Sequence, residues 1–418
     1  MTVRLRRPLT VDAFAVHAAL APAAGVLAER RALYRMIHGF LCSSADELSP
    51  STVDSPLVRH SLGEAIAERT TFEPDDLAEA IALIEASTEL SAGTSKLLLA
   101  TSAAARKPLA RALGVVYRQA GLSGPALGLW TESDDFASVV EAGLRLAREV
   151  NPTLADDLLA HVAQVAVLDP GSRTGLVSAS SRLFPGLVII DMPSSPLEVA
   201  EALLHEGAHQ KFFDLAFTRD FLGAEDDHGA WFQPSWSGAN WPIEQVVAAF
   251  HAYACMAQFD ESAHAAGISL PYGPGSLLPF ARRRSTEIGA WLLAEQSRLG
   301  ADARWLVLAL SGEDAGTSTP LTVDEPAVGS SFVREQGLCV QDVPETGRVL
   351  VGRPGPPIDL RWLEGDAATV FAALGDATAV SLEQLPTSTD TSLTRSINSL
   401  SGALLIRPVA ATMARPGP

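Results

Sequence analysis

The stretch from Leu203 to Phe213 reads LLHEGAHQKFF and contains the residue types and spacing of a metal site. On an α-helix, residues four apart lie one turn from each other on the same face, so His205 and His209 can direct their imidazoles at a single ion. Glu206 then sits beside that ion, where a carboxylate can hold or activate a bound water. A catalytic site of this kind needs a third protein ligand and an open position for the reactant. The residues after His209, QKFFDLAF, lack the Gly and His that continue the motif in metzincins. Farther on, Glu244 and His251 are seven residues apart and share a helix face. Either could close the site, with His251 the expected metal ligand beside His205 and His209. His228 and Asp214 are the remaining candidates. Against these stand plainer roles: Glu244 as a complement to a helix dipole, and His251 as a core histidine bonded to a carbonyl.

The elements that position these residues can be read from the flanking sequence. The run GLVIID after Pro185 predicts a short buried strand. Ser195, Pro196 and Glu198 form a helix start, with a Ser cap, Pro in the first turn and Glu placed to close a capping box. The spacing predicts a helix over 196–216. A second is expected over about 242–259, after the aromatic loop HGAWFQPSWSGANWP, and a third from LLPFARRRSTEIG to about 310, with a break.

Upstream, apolar residues recur at helical spacing over 9–165, so residues 1–165 read as a helical region and 166–310 as the His-Glu-x-x-His domain. The Ser-, Thr-, Gly- and Pro-rich SGEDAGTSTPLTVDEPAVGSS reads as a linker. Residues 330–410 read as a small α+β unit with strands at GLCVQDV, GRVLVGR and GALLIRP, and helices at EGDAATVFAALG and near TSLTRSINSLS. The fold class expected is mainly α with a small β component, the C-terminal unit being winged-helix-like. An exposed edge strand in such a unit can accept an extended peptide.

With 418 residues, the chain exceeds one hydrophobic core and calls for two or three domains. A charge of −18, from 31 Lys and Arg against 49 Asp and Glu, argues against a nucleic-acid partner, because phosphate binding needs a basic face. Asp12 and His17 interrupt the N-terminal apolar stretch, which reads as the first helices of a domain and not as a signal peptide. No apolar run is long enough to span a bilayer. Three dispersed cysteines, Cys42, Cys255 and Cys339, fit a reducing, cytoplasmic setting. Nothing in the sequence fixes the oligomeric state.

The run SRLFPGLVIIDMP followed by AEALLHEGAHQ, the Trp- and Pro-rich loop and WPIEQVVAAFHAYACMAQF resembles the HExxH motif-containing peptide-modification proteins of ribosomal peptide natural-product maturation. The likeness is clearest over about 170–300. It implies a precursor peptide with a leader region as substrate, and non-haem Fe(II), 2-oxoglutarate-dependent β-hydroxylation of a peptide residue as the reaction. His205 and His209 match the family's metal pair, and His251 falls in its later helix. Such a site needs a cation for the cosubstrate's far carboxylate. Arg282, Arg283 and Arg284 supply candidates, of which a helix can turn at most one inward; Lys211 and Arg219 are others. In the competing zinc metallopeptidase reading, Glu206 takes a proton from metal-bound water and Tyr253 donates to the oxyanion. A third reading is a non-catalytic peptide-binding scaffold whose rim is Trp231, Phe232, Trp236 and Trp241.

Overall fold

The computed structural model describes residues 23–42, 48–67, 70–92, 95–119, 134–168, 177–219, 221–222, 230–311, 331–354, 358–375, 379–381, 384–386 and parts of 393–409. The expected first helices before residue 23, His228 and the linker after Ser311 lie outside the described residues. The chain divides into two compact units: residues 1–35 with 44–316, and residues 36–43 with 317–418. Helices dominate, and no helix among the described residues is long and apolar enough to cross a membrane.

In the first unit the helices are α1 (Ala23–Leu41, to residue 35), α2 (Pro50–Asp54), α3 (Pro56–Ile66), α4 (Pro74–Glu85), α5 (Arg106–Gln119), α6 (Asp134–Val150), α7 (Pro152–Leu159), α8 (Pro196–Thr218), α9 (Ile243–Ala266), α10 (Leu278–Ala294) and α11 (Ala301–Ser311). Five strands, β1 (Ser87–Ala92), β2 (Ser95–Ala100), β3 (Gln164–Val167), β4 (Ser178–Ser180) and β5 (Leu187–Ile190), form one sheet in the order β1-β2-β3-β5-β4, and β6 (Trp231–Phe232) pairs antiparallel with β7 (Trp241–Pro242). β3 and β5 run parallel and are buried at every position, as strands covered on both faces must be. This sheet joins the region before residue 165 to the motif domain, so the two are one compact unit. The hairpin of β1 and β2 stands within the region that the periodicity reads as helical.

α8 follows β5 as expected. Ser195 accepts from the Glu198 amide, while the Glu198 carboxylate accepts from the amide and hydroxyl of Ser194, one residue earlier than a capping box requires. Apolar residues ring this helix, so it is buried on nearly all sides. Most of its buried polar groups have partners. Gln210 accepts from the Gly186 amide at 2.6 Å, and Lys211 Nζ donates to Asp157 at 2.6 Å. Gly207 lets α7 approach: a Cβ there would lie 3.1 Å from the Leu158 carbonyl oxygen. α10 packs on α9 just as closely, since a Cβ on Gly289 would lie 2.8 Å from the Phe250 ring. The expected break is a short 3₁₀ turn, Gln296–Arg298, between α10 and α11.

The second unit holds β8 (Ser331–Arg334), β9 (Cys339–Val343), β10 (Arg348–Arg353), β11 (Asp359–Leu363), α12 (Gly365–Ala373), β12 (Val380–Ser381) and β13 (Ile406–Val409). They form two antiparallel three-stranded sheets, β11-β10-β9 and β12-β8-β13. β8, β11 and β12 are additional to the strands read from the sequence. Val349, Val351, Leu363, Val370, Phe371 and Leu405 build its core.

Candidate metal centre

His205 and His209 project from one face of α8 with their Nε2 atoms 3.2 Å apart and their rings nearly perpendicular, at 85°. Two nitrogens at that separation, each about 2.1 Å from a shared ion, subtend about 100° at it, between octahedral and tetrahedral values. Burial and the neighbouring His205 push the His209 pKa down to about 4, so its ring is neutral at pH 7 and its lone pair is available to a metal. His205 Nδ1 is buried and has no hydrogen-bond partner among the described residues. A ligating histidine usually donates from this nitrogen to an acceptor that fixes the ring.

Glu206 points to the sheet. Its Oε1 accepts from Ser178 at 2.7 Å and its Oε2 from Ser180 at 2.5 Å. The two serines alternate along β4 and so present both hydroxyls to the same side. The Glu206 carboxylate therefore pins the edge strand of the sheet to the motif helix.

Arg284 of α10 and Tyr253 of α9 form the other side of the site. The Tyr253 ring lies 6.0 Å from that of His205, and its hydroxyl accepts from Arg284 Nη1 at 2.9 Å. The guanidinium is ringed by Trp236, Tyr253 and Phe280 at 5.0, 5.3 and 5.2 Å. Arg284 Nε is buried without an acceptor, and no carboxylate pairs with this arginine among the described residues. Because the Tyr253 oxygen already accepts, its single proton is directed at a further partner. A half-buried cation and a phenolic donor beside two imidazoles make a wall suited to an oxyanion.

The other sequence candidates are placed elsewhere. His251 is not brought to the imidazole pair. It is fully buried, Nδ1 donates to the Ala208 carbonyl at 3.0 Å, and Nε2 faces Cys255 Sγ at 4.0 Å. Helix α9 turns it onto the backbone of α8 instead of the site. Burial pushes the Cys255 thiol up to about 12, so it faces Nε2 as the protonated donor. Asp214 lies in a buried cluster, accepting from Arg30 Nη1 and His161 Nδ1, each at 2.6 Å, and from Arg59 Nη2. Lys211 is taken by Asp157, and Arg219 Nη1 by Glu29 at 2.6 Å. Arg282 pairs with Glu261 on the surface, and Arg283 stacks on Phe280, leaving Arg284 as the inward member of the three. Glu244 stands half-buried in the first turn of α9. Among the described residues no group of three His, Cys, Asp or Glu side chains converges on one point. Two imidazoles thus fit a metal, with the rest of its coordination not supplied by any described carboxylate, thiol or histidine.

The sequence reading missed Ser178, Ser180 and Glu201. Glu201 is buried one turn before His205 on the same face, and accepts from Ser276 Oγ at 2.7 Å and from the Leu277 amide. The four-residue spacing was visible; its partners, 75 residues away, were not.

Compared with known protein-family models and with curated proteins, the chain shows no match.

Proposed function

We propose that the protein is a metal-dependent oxygenase that hydroxylates a residue of a ribosomally made precursor peptide, using Fe(II) and 2-oxoglutarate. The observation that carries this reading is the Arg284 guanidinium, which has no carboxylate partner among the described residues and reaches the His205–His209 pair through Tyr253. Likeness of the motif region to peptide-modifying HExxH proteins supplies the substrate class. His205 and His209 would hold the iron through Nε2. Bound there with its cosubstrate, iron supplies the oxidising power to hydroxylate an unactivated C–H bond.

Arg284 orients the cosubstrate by its far carboxylate, and Tyr253 donates its remaining proton to the same oxyanion. The Trp236 and Phe280 rings lie against the guanidinium and shield part of it from water, which strengthens this pairing. Glu206 fixes β4 against the motif helix. With both oxygens engaged by serine hydroxyls, it is occupied as a strand anchor, which favours oxidation over the zinc peptidase reading, where this carboxylate must take a proton from water. Trp231, 58% exposed where its neighbour Phe232 is 6%, is the rim residue that faces an incoming peptide. The leader is assigned to β9, an edge strand with Val340 exposed.

The test is anaerobic incubation of iron-loaded protein with its precursor and 2-oxoglutarate, then admission of air and mass measurement. One added oxygen per modified site, with succinate released, is expected. Cleavage with zinc and no oxidant would establish the peptidase instead.

A further inference from the structure

Glu201 is 4% exposed, and among the described residues no cation pairs with it. Its partners are the Ser276 hydroxyl and the Leu277 amide, at the entry to α10, where a helix presents unsatisfied N–H groups and the positive end of its dipole. Burial pushes its pKa up, and the hydrogen bonds from Ser276 and Leu277 oppose that rise. The carboxylate is therefore an anchor for the first turn of α10. Arg284 lies seven residues beyond Leu277, about 10 Å along the helix. A closed circuit results. Glu201 of α8 holds the start of α10; Arg284 of α10 donates to Tyr253 of α9; and Tyr253 lies against His205, one turn from Glu201 on α8. α8 and α10 both pack on α9, and Glu201 ties them to each other directly.

We infer that Glu201 is a positioning residue that sets Arg284 at its working distance from the imidazole pair. This rests on the reading that Arg284 receives the carboxylate of 2-oxoglutarate. Loss of the anchor frees the first turn of α10 and lets the guanidinium drift from the imidazoles, while the imidazoles themselves, carried on α8, stay in place. The carboxylate half of the site weakens and the metal half does not.

The experiment is calorimetric titration of 2-oxoglutarate, without oxygen, into Mn(II)-loaded full-length protein: wild type, Glu201→Gln, Arg284→Gln, the double variant and Ser276→Ala. Glu201→Gln is expected to weaken 2-oxoglutarate binding about tenfold and Ser276→Ala about threefold, with the double variant no weaker than Arg284→Gln alone, as two residues acting through one contact require. Mn(II) affinity is expected to stay within about twofold throughout. A purely structural role would give additive losses, or equal losses for Mn(II) and 2-oxoglutarate, and either overturns the inference. If Glu201→Gln does not fold, as judged by circular dichroism, Ser276→Ala combined with Arg284→Gln decides by the same criterion. Wild type that binds Mn(II) but not 2-oxoglutarate refutes the oxygenase reading; wild type that binds both, with Glu201→Gln unaffected, refutes only the role of Glu201.

Discussion

Substituting Asp214 by Asn separates the two roles its position on the motif helix suggests, metal ligand or structural anchor. Its carboxylate is fully buried and receives Arg30, Arg59 and His161. Burial alone would raise its pKa, but the guanidiniums of Arg30 and Arg59 and the His161 hydrogen bond hold it far below the usual carboxylate range. Arg30 keeps a second partner in Asp54 at 2.7 Å, whereas Arg59 has no other carboxylate among the described residues. Neutralising Asp214 therefore leaves one fully buried guanidinium uncompensated, a loss of about 3–5 kcal/mol. In a unit of this size each kcal/mol lowers the melting temperature by about 2–4 °C, so a fall of roughly 10 °C is expected. The assay is urea and thermal unfolding of metal-free protein, with metal content measured on the folded fraction. Asp214→Asn should be strongly destabilised yet bind metal with unchanged stoichiometry, and Arg59→Met added to it should restore part of the loss. A variant within about 1 kcal/mol of wild type, or one that is stable but has lost its metal, would refute the argument.

Replacing His209 by Ala should reduce Mn(II) or Fe(II) affinity at least about a hundredfold by removing one of two chelating nitrogens, whereas His251→Gln should leave the number of bound imidazoles, counted by X-ray absorption, unchanged. Metal-free protein should lose stability on acidification between pH 6.5 and about 4. The His209 pKa is depressed on folding, so below 6.5 the unfolded chain takes up a proton that the folded chain refuses. The contribution is present above pH 6.5, and about 2–3 kcal/mol of it is gone by pH 4; a urea midpoint that is flat over this window, or equally steep in His209→Asn, would contradict it. Val340→Glu on the exposed edge of β9 should weaken precursor binding in a fluorescence-anisotropy titration without slowing turnover of a leaderless peptide.

Local signals made the imidazole half of the candidate site legible. The Ser195 cap, Pro196 and four-residue histidine spacing are properties of one contiguous segment, and α8 and the imidazole pair appear where they predict. His251 was not legible, because α9 is buried around most of its circumference and a seven-residue spacing there does not say which neighbour a face meets. Arg282, Arg283 and Arg284 are indistinguishable in sequence; only the rotation of α10 against α9 decides which turns inward. The β1–β2 hairpin escaped because STELSA carries almost no β-branched residues, and its strand state comes from pairing with SKLLLA, which propensity cannot see.

The close crossing at Gly289 bears on how such a protein could change its chemistry. Both imidazoles ride on a single turn of one helix, whereas the guanidinium and the phenol arrive on two others whose spacing depends on a missing side chain. A methyl group at that crossing would press on the Phe250 ring and shift α10 against α9, moving the guanidinium relative to the imidazoles carried on α8. Under the proposed reading, dicarboxylates of different length thus lie within reach of one substitution far from any reacting atom.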